Sequence, residues 1–184
     1  MSVQTRAQLQ ASSATIANET VAAANTASRV GGLFDDLADT ATLDRERGFA
    51  NLYIDTDTAF TPTQGQRVKL TSAMKSGVLS TYNFSRTTTS LTYTGTTSAT
   101  LRIAASIVLS QDNNSQIKVY IAKNGTPIDQ SMTDITTSHT NGHAIYTEAY
   151  VTGAVNDEFT IYINAISSGA SITISALSFT IHTL

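Results

Sequence analysis

The chain has 184 residues, with 11 Lys plus Arg against 14 Asp plus Glu and a formal net charge of −3. That length builds one core with room for a short appendage and excludes two large domains. The charge is too small and of the wrong sign for a nucleic-acid-binding stripe, and the absence of Cys excludes disulfides, thiolate zinc sites and cysteine nucleophiles.

The first residues, Met1-Ser2-Val3-Gln4-Thr5-Arg6, lack the apolar core of a signal peptide. No apolar run approaches the roughly 20 residues that span a bilayer. The expectation is a chain that folds in a cytoplasm and does not insert into a membrane. Between Gln4 and Ala41 there is no Pro and no Tyr, Ala is dense, and apolar residues recur seven apart at Leu9, Ile16, Ala23, Val30 and Leu37. Such a repeat keeps one stripe facing a partner helix. Asn25-Thr26 reads as an N-cap that divides the region into helices over 5–24 and 27–41. In the second, Val30, Leu33, Phe34 and Leu37 form an apolar face, and Gly31 and Gly32 permit close approach of another backbone. A lone helix does not bury that face, so it meets its own β-domain, sister chains or a docking partner, and these six residues are the candidate docking or helix contact.

From Phe49 the period becomes two, and 31 threonines and 20 serines favour pleated, mildly polar surfaces. Strands are predicted over Phe49–Ile54, Arg67–Thr71, Leu79–Phe84, Ser90–Thr94, Thr100–Leu109, Gln116–Ala122, His143–Tyr150, Glu158–Ala165 and Ser171–Leu184. Ile117, Val119 and Ile121 alternate with Lys118, Tyr120 and Ala122, and Phe159, Ile161 and Ile163 with Thr160, Tyr162 and Asn164. Turn residues such as Asn124-Gly125, Asn141-Gly142 and Asn156-Asp157 separate them. The expected class is mainly β, an antiparallel sandwich preceded by short helices. Its segments are 1–44 helical, 45–60 linker and entry strand, and 61–184 sandwich.

Chemistry that needs convergent side chains is weakly signalled. His139 and His143 stand four apart with Asn141-Gly142 between them and no acidic residue close by, so no metal site is expected. His182 reads as the end of the last strand with no special role. Asp55 and Asp57 read as caps where the chain enters the sandwich. No nucleophile, phosphate-loop or zinc-protease motif is present, so neither catalysis nor a cofactor is expected.

Two segments carry a resemblance. Lys118-Val119-Tyr120-Ile121-Ala122-Lys123-Asn124-Gly125-Thr126, followed by Asn156-Asp157-Glu158-Phe159-Thr160-Ile161-Tyr162-Ile163 and a last strand, resembles the C1q/TNF-like jelly rolls of some phage fibres, over about residues 90–184. The start of the chain, Arg6-Ala7-Gln8-Leu9-Gln10 and then Arg29 to Asp39, is similar in style to the helical starts of tailed-phage virion proteins. The resemblance implies a homotrimeric head or tail fibre of a virion. Residues 1–44 would dock on portal, neck, capsid or tail proteins, and the knob would meet a host-surface glycan. It further implies that Tyr120, Tyr146, Tyr150 and Tyr162 serve a hydroxyl-rich trimer interface. Asp112, Asn113, Asn114, His139, Asn141 and His143 are the ligand-loop candidates. A capsid decoration protein without receptor binding, or a non-viral jelly-roll adhesin, is the alternative.

Overall fold

Alternating apolar residues in the second part of the chain form strands with one buried face each. The structure, a computed structural model, describes residues 48–79, 83–111, 115–137, 142–166 and 171–184. The predicted helices over 5–24 and 27–41, with Val30, Gly31, Gly32, Leu33, Phe34 and Leu37, lie outside the described residues, as do Asp112, Asn113, Asn114, His139 and Asn141.

In chain order the strands are β1 (Phe49–Ile54), β2 (Thr58–Phe60), β3 (Val68–Lys69), β4 (Lys75–Leu79), β5 (Phe84–Arg86), β6 (Leu91–Tyr93) and β7 (Ala99–Gln111). There follow β8 (Ser115–Lys123), β9 (Thr126–Pro127), β10 (Thr133–Thr137), β11 (His143–Gly153), β12 (Glu158–Ala165) and β13 (Ile172–Thr183). A single 3-10 turn, Asp129–Ser131, is the helical element among the described residues. Of the predicted strand over Leu79–Phe84, Leu79 belongs to β4, Asn83 is in a turn and Phe84 opens β5, while residues 80–82 lie outside the described residues.

The strands form two antiparallel sheets. The first runs β11-β7-β13-β1-β4 with β2 on β13, and the second runs β10-β8-β12-β6-β5 with β3 on β12 and β9 on β8. The core lies between them. The first sheet supplies Leu52, Ile103, Ile107 and Phe179, and the second supplies Phe84, Ile121, Phe159 and Ile163, all fully buried or nearly so. Asn124-Gly125 closes the β8–β9 hairpin with both residues at positive φ, 51° and 78°, which is what a two-residue primed turn demands.

The two ends of the sandwich differ. Register places Ser115 opposite Thr137, Ile172 opposite Gln111 and Ala165 opposite Ile117. The connections over 112–114, 138–141 and 167–170 therefore all join strands at one end. At the other end Gly48 and Thr183 exchange hydrogen bonds, Gly48 N–H to Thr183 Oγ1 at 2.8 Å and Thr183 N–H to the Gly48 carbonyl at 3.1 Å. The chain enters the sandwich there, beside its last strand.

Candidate functional site

On the first sheet, the odd residues of β1 and the even residues of β7, β11 and of the C-terminal half of β13 point away from the core. Register assembles them into rows. Tyr150, Arg102, His182 and Phe49 lie side by side, then Glu148, Ala104, Thr180 and Asn51, then Tyr146, Ser106, Ser178 and Tyr53. The middle of this face is small and hydroxyl-bearing, and its rims are aromatic. Tyr146 and Tyr150 are 51% and 58% exposed. Among the described residues the charged side chains on this face are Arg102 and Glu148, with Lys75 at the β4 edge bound to Asp55.

Arg102, Glu148 and Tyr146 form a closed network. Arg102 Nε and Nη2 donate to Glu148 Oε2 at 3.2 and 3.0 Å, Nη2 also donates to the Tyr146 hydroxyl at 2.8 Å, and that hydroxyl donates to Glu148 Oε2 at 2.7 Å. The hydrogen bond from Tyr146, and then those from Arg102, hold the Glu148 carboxyl below its ordinary pKa. Glu148 in return is the first cause raising both the Tyr146 phenol and the Arg102 guanidinium. In the row of Arg102, the His182 ring lies 4.6 Å from the Phe49 ring at 48°. Burial, and then Arg102, push its pKa down.

The four tyrosines named from sequence do not form one patch. Tyr120 and Tyr162 face outward from the second sheet, paired across β8 and β12. Tyr120 is 4% exposed, covered within its own protomer, with the Arg67 guanidinium 4.6 Å from its ring centroid. This second outer face is lined with charge: Arg67 Nη2 meets Asp129 Oδ1 at 2.9 Å and Lys69 Nζ meets Glu158 Oε1 at 2.9 Å. Gln116 Nε2 donates to Asp134 Oδ2 at 2.7 Å.

Of the loop candidates His143 is described, and it opens β11 opposite Leu109 instead of lying in a loop. Among the described residues no three His, Asp or Glu side chains come together. A shallow cleft of about 550 Å³ follows the hairpin from Lys123 to Gln130. Two of its lining residues are committed elsewhere: Lys123 Nζ lies 2.7 Å from Asp157 Oδ2 and Asn124 Nδ2 donates to Asp157 Oδ1 at 2.7 Å. Sequence reasoning did not single out Arg102 or Glu148 and read His182 as the end of the last strand. The signal was strand parity, which puts Arg102 on the same side of β7 as Ala104 and Ser106.

No protein-family model and no curated protein matches the sequence. Among solved structures, a crystal structure of murine APRIL at pH 5.0 is similar, with a TM-score of 0.51 at 11% identity, over 75% of this chain and 99% of that one. The fold is a jelly roll of the TNF-like kind.

Proposed function

We propose that this chain is a non-catalytic structural protein of a tailed-phage particle. It assembles as a homotrimer through the outer face of its first sheet, docks through residues 1–44 and holds its jelly roll outward as a fibre knob. One observation carries the assembly reading. A sheet face with small hydroxyl side chains at its centre, exposed Tyr146 and Tyr150 at its rim and one internally neutralised ion pair has the charge-poor, aromatic composition of an interface core. Three-fold assembly follows the resemblance to C1q/TNF-like domains, and the phage setting follows the resemblance of the chain's start to virion proteins. The polarity of the sandwich suits a knob. The chain enters beside Thr183, while the strand ends at Gln111, Ser115, Thr137, Ala165 and Ile172 lie at the opposite end, where three copies on one axis would turn weak host-glycan sites into avidity.

Light scattering on the full chain tests this. A persistent mass of 58.5 kDa, three times the 19.5 kDa of one chain, is expected, and a stable mass of 19.5 kDa would refute it. Particles grown with a chain lacking residues 1–41 are expected to be free of the protein. A trimer that fails to bind host cells at micromolar concentration would turn the assignment to capsid decoration.

A further inference from the structure

We propose that self-association through the first sheet's outer face is proton-linked through His182, so that acidification charges this residue beside Arg102 and drives the copies apart. The inference rests on the assembly reading above and concerns how that same face is controlled. His182 occupies the row Tyr150, Arg102, His182, Phe49, which crosses four strands. In the single protomer its ring is half-buried against Phe49, and a second copy laid over the row would remove its remaining water. Burial in a dry interface penalises the charged form of an imidazole.

The neighbours decide whether a proton there finds compensation. From β7 the facing group is Arg102, a cation directly opposite. Behind it on β11 stand Glu148, Tyr146 and Tyr150. The Glu148 oxygen Oε2 accepts from Arg102 twice and from Tyr146 once, so the guanidinium stands between this carboxylate and His182 and takes its nearest charge. From β1 come Phe49 and Asn51, and along β13 comes Thr180, none of them anionic. On β4, Lys75 is opposite Tyr53 at the far end of β1 and is tied to Asp55. A second positive charge in this row therefore meets a cation across the strand pair, with the π-face of Phe49 as its partial offset and no carboxylate bonded to it among the groups named. The downward displacement of the His182 pKa, from burial first and Arg102 second, has the same origin.

The sign follows from linkage. The assembled form favours neutral His182 more strongly than the separate protomer does, so the trimer binds fewer protons than three protomers, and falling pH pulls the equilibrium toward protomers. One proton per copy sets the steepness at up to about 1000-fold in the trimer constant per pH unit.

The test is the mass of the full chain by sedimentation at fixed concentration, from about pH 8 to about pH 5, with His182→Gln alongside. The wild type is expected to dissociate in the acid half of that range. The variant is expected to stay trimeric there, with a trimer constant at least about 100-fold above wild type at the acid end. The two chains dissociating in step, or a wild-type trimer indifferent to pH, would overturn the proposal. A wild type already monomeric at about pH 8 would instead overturn the assembly reading beneath it. A second readout does not use His182→Gln: the His182 ring signal, titrated by NMR, should give a pKa at least about one unit lower in the trimer than in a folded protomer kept monomeric by Ser178→Arg. Equal values in the two would count against it.

Discussion

On the second sheet's outer face, Lys69 meets Glu158, Arg67 meets Asp129 and lies over Tyr120, and Gln116 holds Asp134. On the first sheet's outer face the corresponding positions are Ala104, Ser106, Ser178 and Thr180, bordered by Phe49, Tyr53, Tyr146 and Tyr150. Both faces back onto one core and alternate in the same way, so neither strand propensity nor core packing explains the contrast. What differs is what each face would lose on drying. Drying paired charges is costly, whereas small hydroxyls and tyrosines lose much less, provided their O–H groups find hydrogen-bond partners. Among the described residues, the second sheet's outer face thus carries more of the charge than the first sheet's.

The strongest way to break this comparison is to place one new charge on each face. Ser178→Arg is exposed at the centre of the charge-poor face and Thr136→Arg is exposed on the outer side of β10. An unpaired charge buried on assembly costs about 3–5 kcal/mol, so Ser178→Arg should lower the association constant at least ~1000-fold while Thr136→Arg leaves the mass unchanged. Light scattering decides between them. Loss of assembly from both would mean that both faces are used.

Next in size is the core that the faces share. Phe179 of β13 and Phe159 of β12 are both fully buried, one from each sheet. Truncation of either to Ala should cost about 3–5 kcal/mol, read as a shifted urea midpoint with protomers kept apart by Ser178→Arg. Markedly unequal costs would place the asymmetry inside the sandwich instead of on its surfaces.

Much of this was legible in the sequence, for a definite reason. Where apolar residues alternate over six or more positions, as in Phe49–Ile54 and Glu158–Ala165, the predicted and observed bounds coincide. Where the pattern thins, it fails. Thr133–Thr137 contributes one large apolar residue, Ile135, among threonines and an aspartate, and its pairing with β8 comes from tertiary context. The short β2 and β9 went unread for the same reason. Parity also tells which residues of a strand share a face but not which sheet the strand joins. Tyr120 and Tyr146 look equivalent in sequence, yet β8 and β11 lie in different sheets, and the face that unites Arg102, Glu148 and His182 exists only once register is known.

A smaller effect is expected at the turn that joins the two sheets' ends. Asp157 is a buried carboxylate. Burial acts to raise its pKa, but Lys123, the Ala154 N–H and the Asn124 amide outweigh it and hold the carboxyl below the ordinary value. A depressed folded-state pKa gives stability that is present above the unfolded value near 3.9 and is lost as pH falls through the folded one. Acid titration of the monomeric protein should therefore show weakening below about pH 4, and Asp157→Asn should flatten that limb. Asp157→Ala, which strands the Ala154 N–H and the Asn124 amide, should cost about 1–3 kcal/mol at neutral pH.

The smallest expected effect returns to the outer faces and sharpens the contrast between their two arginines. Arg67 pairs with Asp129 at side-chain exposures of 43% and 73% and lies over Tyr120. A pair that wet contributes about 0.2–1 kcal/mol, with a similar amount from the ring beneath the guanidinium. Arg67→Gln should thus leave the assembled mass unchanged and shift protomer stability by about 1 kcal/mol or less. Arg102→Gln removes the partner of Glu148 on the face that assembly would dry, leaving a carboxylate with Tyr146 alone to satisfy it. Its effect should therefore appear in association while the protomer's own unfolding midpoint barely moves. Salt separates the two again, because a screened surface pair weakens as ionic strength rises while a buried one is shielded much less. If both substitutions moved the same observable by the same amount, the two faces would be alike in what they do, however different their composition.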